Sequence, residues 1–521
     1  MENAMDKMLK LILCTLLALA AACGKEEKGG GLDISNATAE ITGTVRDQDG
    51  KPLAGILMSD GFTQVRTGLD GTYRIASRNK DAFYVYYSIP ADAVIGVNAA
   101  GRPDFFQRLS LSKTVYDFTI RKQAVEDQVR LLFLGDPQVR PSNNGLARFK
   151  AETAPDVKKF VASKGGDMPT YAFAMGDMVH NTWDQFPDLF ALLAKESLSV
   201  PCFAVIGNHD HEFNAESPVS DIKGQHKYEA VAGPVNYSLE RGNTHILVLD
   251  DIIHQGTSES SFSEGLTDEL KAFMKEDLRL VDRSKTLLLV MHAYLDNTAK
   301  YADIWSVLAE FKEARIIGAH LHSVRNYLYE VDGKVIKGNV VGTTNGVDWA
   351  ATICGDGAPM GYAVLELQGG TVRNHYYKPT CLDEDFQIRL YRTSDFPDFT
   401  HTLSGGSTVT CKFGISGTDV IAANIWNYNP LWTLEVYENG VLKGAPTRLD
   451  SMYDVWACKY FYQQKKRVTA SFCQRRAHMF YWRLTDPSAS VRFVAKDEFG
   501  RTYEQSYITT NLERDWPDSY R

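Results

Sequence analysis

The sequence predicts an α/β core between two all-β sandwich domains, and three observations predict it. From about residue 129 to residue 380, apolar runs of strand length alternate with longer stretches of helical periodicity. On the N-terminal side, from 41 to about 120, short alternating runs are broken by turn signals such as Asp49-Gly50-Lys51-Pro52 and Asp70-Gly71. Beyond Cys381 helical periodicity vanishes, and Trp426, Trp432, Trp456, Trp482 and Trp516, five of the eight tryptophans, fall among strand-like runs. A chain of 521 residues with 44% hydrophobic and 23% charged residues has room for several cores at ~150 residues per domain. Its 56 Lys and Arg against 65 Asp and Glu give a net charge of -9. Such a surface lacks the basic face that non-specific nucleic-acid binding requires.

The elements follow in order. Lys7 and Lys10 precede the apolar run 11–19, which ends in Ala20-Ala21-Ala22-Cys23-Gly24. That run is shorter than the ~20 residues of a membrane-spanning helix and reads as a secretory signal over 1–23. Small residues directly before a Cys resemble a bacterial lipobox, with Leu19 one place further from the Cys than usual. The resemblance implies acylation of Cys23 and an exported lipoprotein of the outer membrane or cell surface of a Gram-negative bacterium. Residues 24–38, with Lys25-Glu26-Glu27-Lys28 and Gly29-Gly30-Gly31, read as a flexible tether, and the Lys-Glu-Glu tract resembles the surface-export signal of Bacteroidetes lipoproteins. Residues 39–122 form the N-terminal β-sandwich, whose Gly-x-Val, Asp-Gly-x-Pro-x-x-Gly and Asp-Gly-x-Tyr pattern resembles carboxypeptidase-regulatory-like domains. In the core, 128–380, strands are expected at 131–133, 172–175, 203–206, 246–249, 287–291 and 315–317, and helices at 147–163, 266–280 and 298–313. The C-terminal β-sandwich takes 381–521. Six widely spaced cysteines follow the signal and show no metal-finger spacing.

What decides the chemistry is that nearly every core strand ends in a metal-type ligand. Gly135-Asp136-Pro137-Gln138, Gly176-Asp177, Gly207-Asn208-His209-Asp210, His292 and Gly318-Ala319-His320-Leu321-His322 follow successive strands. Ligands of open α/β sheets collect outside the carboxyl ends of strands, so groups almost two hundred residues apart can converge. Alone, Gly-Asp after a strand reads as a turn or helix cap, and one strand-end His as a structural histidine. His320 and His322 alternate, so on an extended segment both imidazoles face one side, and a pair of neutral nitrogen donors suits Zn, Fe or Mn.

These motifs, in this order, resemble the calcineurin-like metallophosphoesterase superfamily over about 129–380. The resemblance implies a four-layer sandwich, helices outside two mixed β-sheets, and hydrolysis of phosphate esters at a two-metal site. It places Asp136, Gln138 and His322 on one divalent cation, Asn208, His292 and His320 on a second, and Asp177 between both, with a bridging hydroxide as nucleophile. The metals could be Mn, Mg, Fe or Zn. His209 is the candidate to protonate the leaving oxygen. Gln138 stands where most relatives have His, a neutral amide oxygen that favours harder ions. His180 occupies the place of an Asp that orients the catalytic His in related phosphatases, and Asp210 is the candidate substitute. Ala319 is a one-residue insertion that leaves the His-x-His spacing intact.

The segments 343–349 and 355–362 resemble the closing part of exported Bacteroidetes phosphoesterases, with Asp348, Trp349 and Asp356 at the site mouth or in a packed loop. The C-terminal aromatics read as sandwich core or, more sharply, as a glycan-contact surface. Two other functions stay open: a surface binding or adhesion protein with a degenerate phosphoesterase core, and a phosphodiesterase or nucleotide pyrophosphatase instead of a monoesterase.

Overall fold

The computed structural model describes residues 40–166, 168–295, 301–347, 351–466, 473–506 and 508–509. The signal, Cys23, the tether, the first residues of the helix expected at 298–313, Asp348, Trp349 and Trp516 lie outside them.

Two mixed sheets form the core. The first runs in the order Cys202–Val205, Thr170–Met175, Gln128–Leu134, Gly361–Gln368, Thr371–Pro379, with the first three strands parallel and the last two forming an antiparallel hairpin. The second runs Tyr237–Arg241, Thr244–Val248, Thr286–Val290, Glu313–Gly318, Lys334–Val340, Arg325–Val331, with four parallel strands inside and an antiparallel strand at each edge. Parallel strands covered on both faces read as continuous apolar runs. Their alternate residues then separate into two cores.

Leu131, Phe133, Phe173 and Val205 of the first sheet meet Ile246, Val248, Leu288 and Val290 of the second in one cluster. The opposite faces take helices. Leu132, Leu134 and Ala172 pack with Val157 and Phe160 of Ala154–Ser163 and with Leu189 of Phe186–Leu192. Leu247, Leu287 and Leu289 pack with Met274 of Asp268–Leu278 and Trp305 of Ala302–Ala309. Each such buried aliphatic side chain stabilises the fold by about 1.5–3 kcal/mol relative to exposure. This is the four-layer sandwich.

Strand ends and the helix at Asp268–Leu278 shift by up to three residues from the periodicity, and two helices differ more. The stretch expected as one helix over 147–163 is Gly145–Arg148, a π-turn at Phe149–Thr153, then Ala154–Ser163. The expected helix to 313 stops at Ala309, because Glu313 opens the next strand.

The N-terminal domain pairs the sheet Thr72–Ile75, Ile41–Asp47, Phe118–Ile120 with the sheet Gln64–Arg66, Leu57–Ser59, Tyr84–Tyr87, Phe106–Arg108. Its core is continuous with the cluster between the catalytic sheets. Ile89 pairs with Leu239, and Ser88 bonds Ser238 at 2.7 Å, so this domain covers an edge of the second sheet that would otherwise stand open. The C-terminal domain stacks Arg389–Arg392, Val420–Asn424, Met479–Arg483, Thr447–Leu449 on Val441–Gly444, Thr433–Glu438, Val491–Lys496, Thr502–Gln505. Trp426, Trp432 and Trp456 are buried in its packing, which removes them from any glycan surface. No helix among the described residues is long and apolar enough to cross a membrane.

Candidate metal centre

The carboxyl ends of the two sheets meet, and the predicted ligands meet there. Asp136, Asp177, Asn208 and His292 are buried, each no more than 3% exposed, and Gln138 is 4% exposed. His320 and His322 keep 19% and 24% of their side chains open, which gives the site a mouth.

Two groups of ligand atoms form around a shared carboxylate. Asp136, Asp177 and His322 make one, Asp177, His292 and His320 the other, each with donor atoms within 4.8 Å of one another. Asn208 joins the second, with Oδ1 3.2 Å from His292 Nε2. Gln138 joins the first through Nε2, which donates to Asp177 Oδ2 at 3.2 Å.

Backbone conformation places several of these groups. Asp136, Gln138, Asp177, His320 and His322 have φ of 39°, 43°, 49°, 62° and 50°. Left-handed φ in non-glycine residues costs of order 1–3 kcal/mol each and persists where surrounding contacts over-determine it. The expectation that His320 and His322 share a face of an extended segment is corrected here. The strand ends at Gly318, and left-handed turns at each histidine bring both rings to the site. Gly176 and Gly207 permit the close approach: a β-carbon would fall 2.3 Å from His292 Nδ1 at Gly176 and 2.2 Å from the Asp177 amide at Gly207.

The donor chemistry fits divalent cations. His292 Nδ1 contacts the Met175 carbonyl at 2.7 Å, so with its hydrogen there the Nε2 lone pair faces Asn208 Oδ1 at 3.2 Å, His320 Nδ1 at 3.2 Å and Asp177 Oδ1 at 3.4 Å. Acceptors crowd together around that lone pair. Asp136 Oδ2 is buried with no hydrogen-bond partner among the described residues. Burial would lower the His292 pKa, but the charge and hydrogen bond of Asp177 push it up to about 10. Asp177 would rise on burial, yet His292 and His209 hold it well below the ordinary carboxylate range. A centre that draws positive charge this strongly suits a cation.

His209 Nδ1 lies 2.9 Å from Asn181 Oδ1, an acceptor that fixes the hydrogen on Nδ1 and leaves the lone pair on Nε2. Asn181 Nδ2 in turn donates to Glu259 at 2.7 Å. The His209 amide donates to Asp177 Oδ1 at 2.9 Å, and its ring stacks on His180 with centroids 4.3 Å apart. Asp210 does not orient this histidine. Its oxygens accept the Val179 and Gly207 amides at 3.2 and 2.9 Å, and burial together with Asp177 pushes its pKa up to about 8. It holds the turn; Asn181 holds the ring.

Sequence reasoning missed three residues. Glu264 stands 3.3 Å from His320 Nε2, which turns Nδ1 toward His292; Asp251 accepts the His292 and Ala293 amides, both at 3.1 Å; and Asn181 is the third. Each lies off the strand-end motifs. Asp356, expected at the mouth or in a loop, is 2% exposed and lies beneath the histidine loop, accepting the Val324 amide at 2.8 Å and standing 3.1 Å from His478.

The C-terminal domain grips this loop. Gln474 Nε2 donates to the Leu321 carbonyl at 2.8 Å and Arg476 Nη2 to Ser323 Oγ at 2.6 Å, while within the core Gly355 N donates to the His322 carbonyl at 2.9 Å.

The sandwich and its strand-end ligands define a metal-binding hydrolase. Residues 39–123 match the N terminal of calcineurin-like phosphoesterase, 129–324 calcineurin-like phosphoesterase itself, and 339–503 the C terminal of calcineurin-like phosphoesterase. Together the three matches span more than four fifths of the sequence. The chain belongs to the calcineurin-like phosphoesterases and is a phosphoesterase hydrolase. The C-terminal match begins inside the core and takes in the hairpin Gly361–Pro379 of the first sheet. The turn motifs of the first domain fall within the N-terminal match.

Among solved structures, the chain is similar to a purple acid phosphatase from yellow lupin (Lupinus luteus) seeds, at 13% identity over 63% of this chain and 67% of that one, TM-score 0.34. It is also similar to phosphopantetheinyl hydrolase from Mycobacterium tuberculosis, at 17% identity over 43% of this chain and 93% of that one, TM-score 0.28. No curated protein sequence matches the chain.

Proposed function

We propose that the chain hydrolyses phosphate esters with two divalent cations, Asp136, Gln138, Asp177 and His322 holding one, and Asp177, Asn208, His292 and His320 the other. The supporting observation is Asp177, the carboxylate common to both ligand groups. A carboxylate is the group able to serve two cations about 3.5–4 Å apart. When bound, such cations neutralise phosphoryl oxygens and activate water near neutral pH.

The chain's own residues supply the rest. Burial of Asp136, Asp177 and His292 excludes bulk water from the floor of the site and strengthens every charge interaction in it. His209, with Nδ1 fixed by Asn181, presents Nε2 to the leaving oxygen and gives it a proton. Burial holds its pKa below the ordinary histidine range, while the charge of Asp177 raises it. A phosphate ester arriving beside the ring adds a further anion that favours the charged, donating form. The adhesion reading loses its ground, because each motif position carries a donor group and the groups converge.

The signal, the lipobox-like Cys23 and the tether support work outside the cytoplasm on a lipid anchor. A hydrolysis panel of phosphate mono- and diesters across Mn, Mg, Zn and Fe, on a chain beginning after Cys23, tests the reading. Turnover with at least one ester class and close to two metals per chain is expected; fewer than one metal per chain after supplementation would refute it.

A further inference from the structure

A cavity of about 230 Å³ lies where the core meets the C-terminal domain, away from the ligand groups just described. Arg325 and Tyr327 come from an edge strand of the second sheet, and Tyr428, Arg448, Arg476 and His478 from the C-terminal domain. Three guanidiniums around one small cavity are unexpected in a chain of net charge -9.

Their hydrogen-bond acceptors among the described residues are all neutral. Arg325 donates to the Tyr294 hydroxyl at 3.1 Å, Arg448 to the Ala477 carbonyl at 2.8 Å, and Arg476 to Ser323 Oγ and Gln474 Oε1. Aromatic rings support two of them, with Arg325 5.2 Å from the Tyr294 centroid and Arg448 5.4 Å from that of Tyr428. The carboxylate that acts on Arg476, Asp356, spends its oxygens on the Val324 and Ala358 amides and on His478. Burial lowers the Arg476 pKa, Asp356 offsets part of that, and Arg325 lowers it further.

We propose that this cavity binds an oxyanion, a phosphate, sulfate or carboxylate group of a ligand. Guanidinium forks match the planar edge of such groups and bind them with charge-assisted hydrogen bonds, and stacked aromatic rings keep the forks in place. The position gives the site a bearing on hydrolysis, since Arg476 holds Ser323, the residue after His322. The anion is either a second acidic group on the substrate or a free ion that acts on the histidine loop.

The test uses the full chain after chelator treatment, so that the metal centre takes no part, with inorganic sulfate as the probe. Saturable binding by calorimetry is expected, weakened roughly tenfold or more in Arg448→Gln and in Arg325→Gln. Arg448 is exposed, so its replacement leaves the fold intact. No saturable binding, or binding unchanged in both variants, overturns the proposal. In the metal-loaded chain, a change in kcat for p-nitrophenyl phosphate on adding sulfate assigns the site to a free ion. A rise in KM for a bisphosphate ester in Arg448→Gln, with p-nitrophenyl phosphate unaffected, assigns it to the substrate. Because binding is read without metal, its failure is distinct from failure of the hydrolase reading.

Discussion

The first core sheet brings oxygen donors to the candidate metal centre and the second brings nitrogen donors. Asp136, Gln138, Asp177 and Asn208 follow strands of the first, and His292, His320 and His322 follow strands of the second. The two sides are secured differently. Oxygen ligands sit in tight turns that bond one another, such as the Gln138 amide on the Asp177 carbonyl at 2.7 Å. The histidine loop depends on the C-terminal domain for its grip. Each half is thus incomplete alone, and the chemistry belongs to the seam.

Asp177→Asn strikes the residue both halves use. Turnover should fall by roughly 10³-fold or more with far-UV circular dichroism unchanged, as expected if the shared carboxylate is lost; near-normal kcat would remove Asp177 from the centre. Next in size, Gly176→Ala drives a methyl group into the His292 ring at a residue with φ of 89°. It should cost about 2–3 kcal/mol of stability and most of the bound metal. A variant with full metal content would show that the sheets can part without losing the site.

Arg476→Ala and Gln474→Ala separate the two sides. Both should weaken metal binding roughly 10–100-fold, as loss of groups behind metal ligands does, with kcat recovering at high metal concentration. Unchanged affinity in a metal titration would mean the loop holds itself. Smallest is Gln138→His, which places a nitrogen donor on the oxygen side and should shift preference from Mg toward Zn several-fold. An unaltered metal preference would show that Gln138 only steadies Asp177.

Much of this was legible in the sequence, and the limits have physical causes. Apolar runs ending in Gly-Asp, Gly-Asn-His-Asp or His marked the ligands, because a parallel strand must be apolar and its function collects at its end. The residues that went unseen act across the fold. Glu264 closes a hairpin, where no periodicity singles out one glutamate. Asp210 was assigned to His209 by adjacency, but neighbours in a turn point apart, and its carboxylate went to backbone amides. The continuity of the N-terminal core with the catalytic one was also invisible, since alternation shows which face is buried and not what covers it.

Asp177 would let bound cations do mechanical work as well. A cation held by Asp136 and Asp177 on one layer and His322 on the other would be a rivet through the sandwich, so loading should raise the melting temperature by tying the layers together. Any slip between them would empty the centre before either sheet came apart.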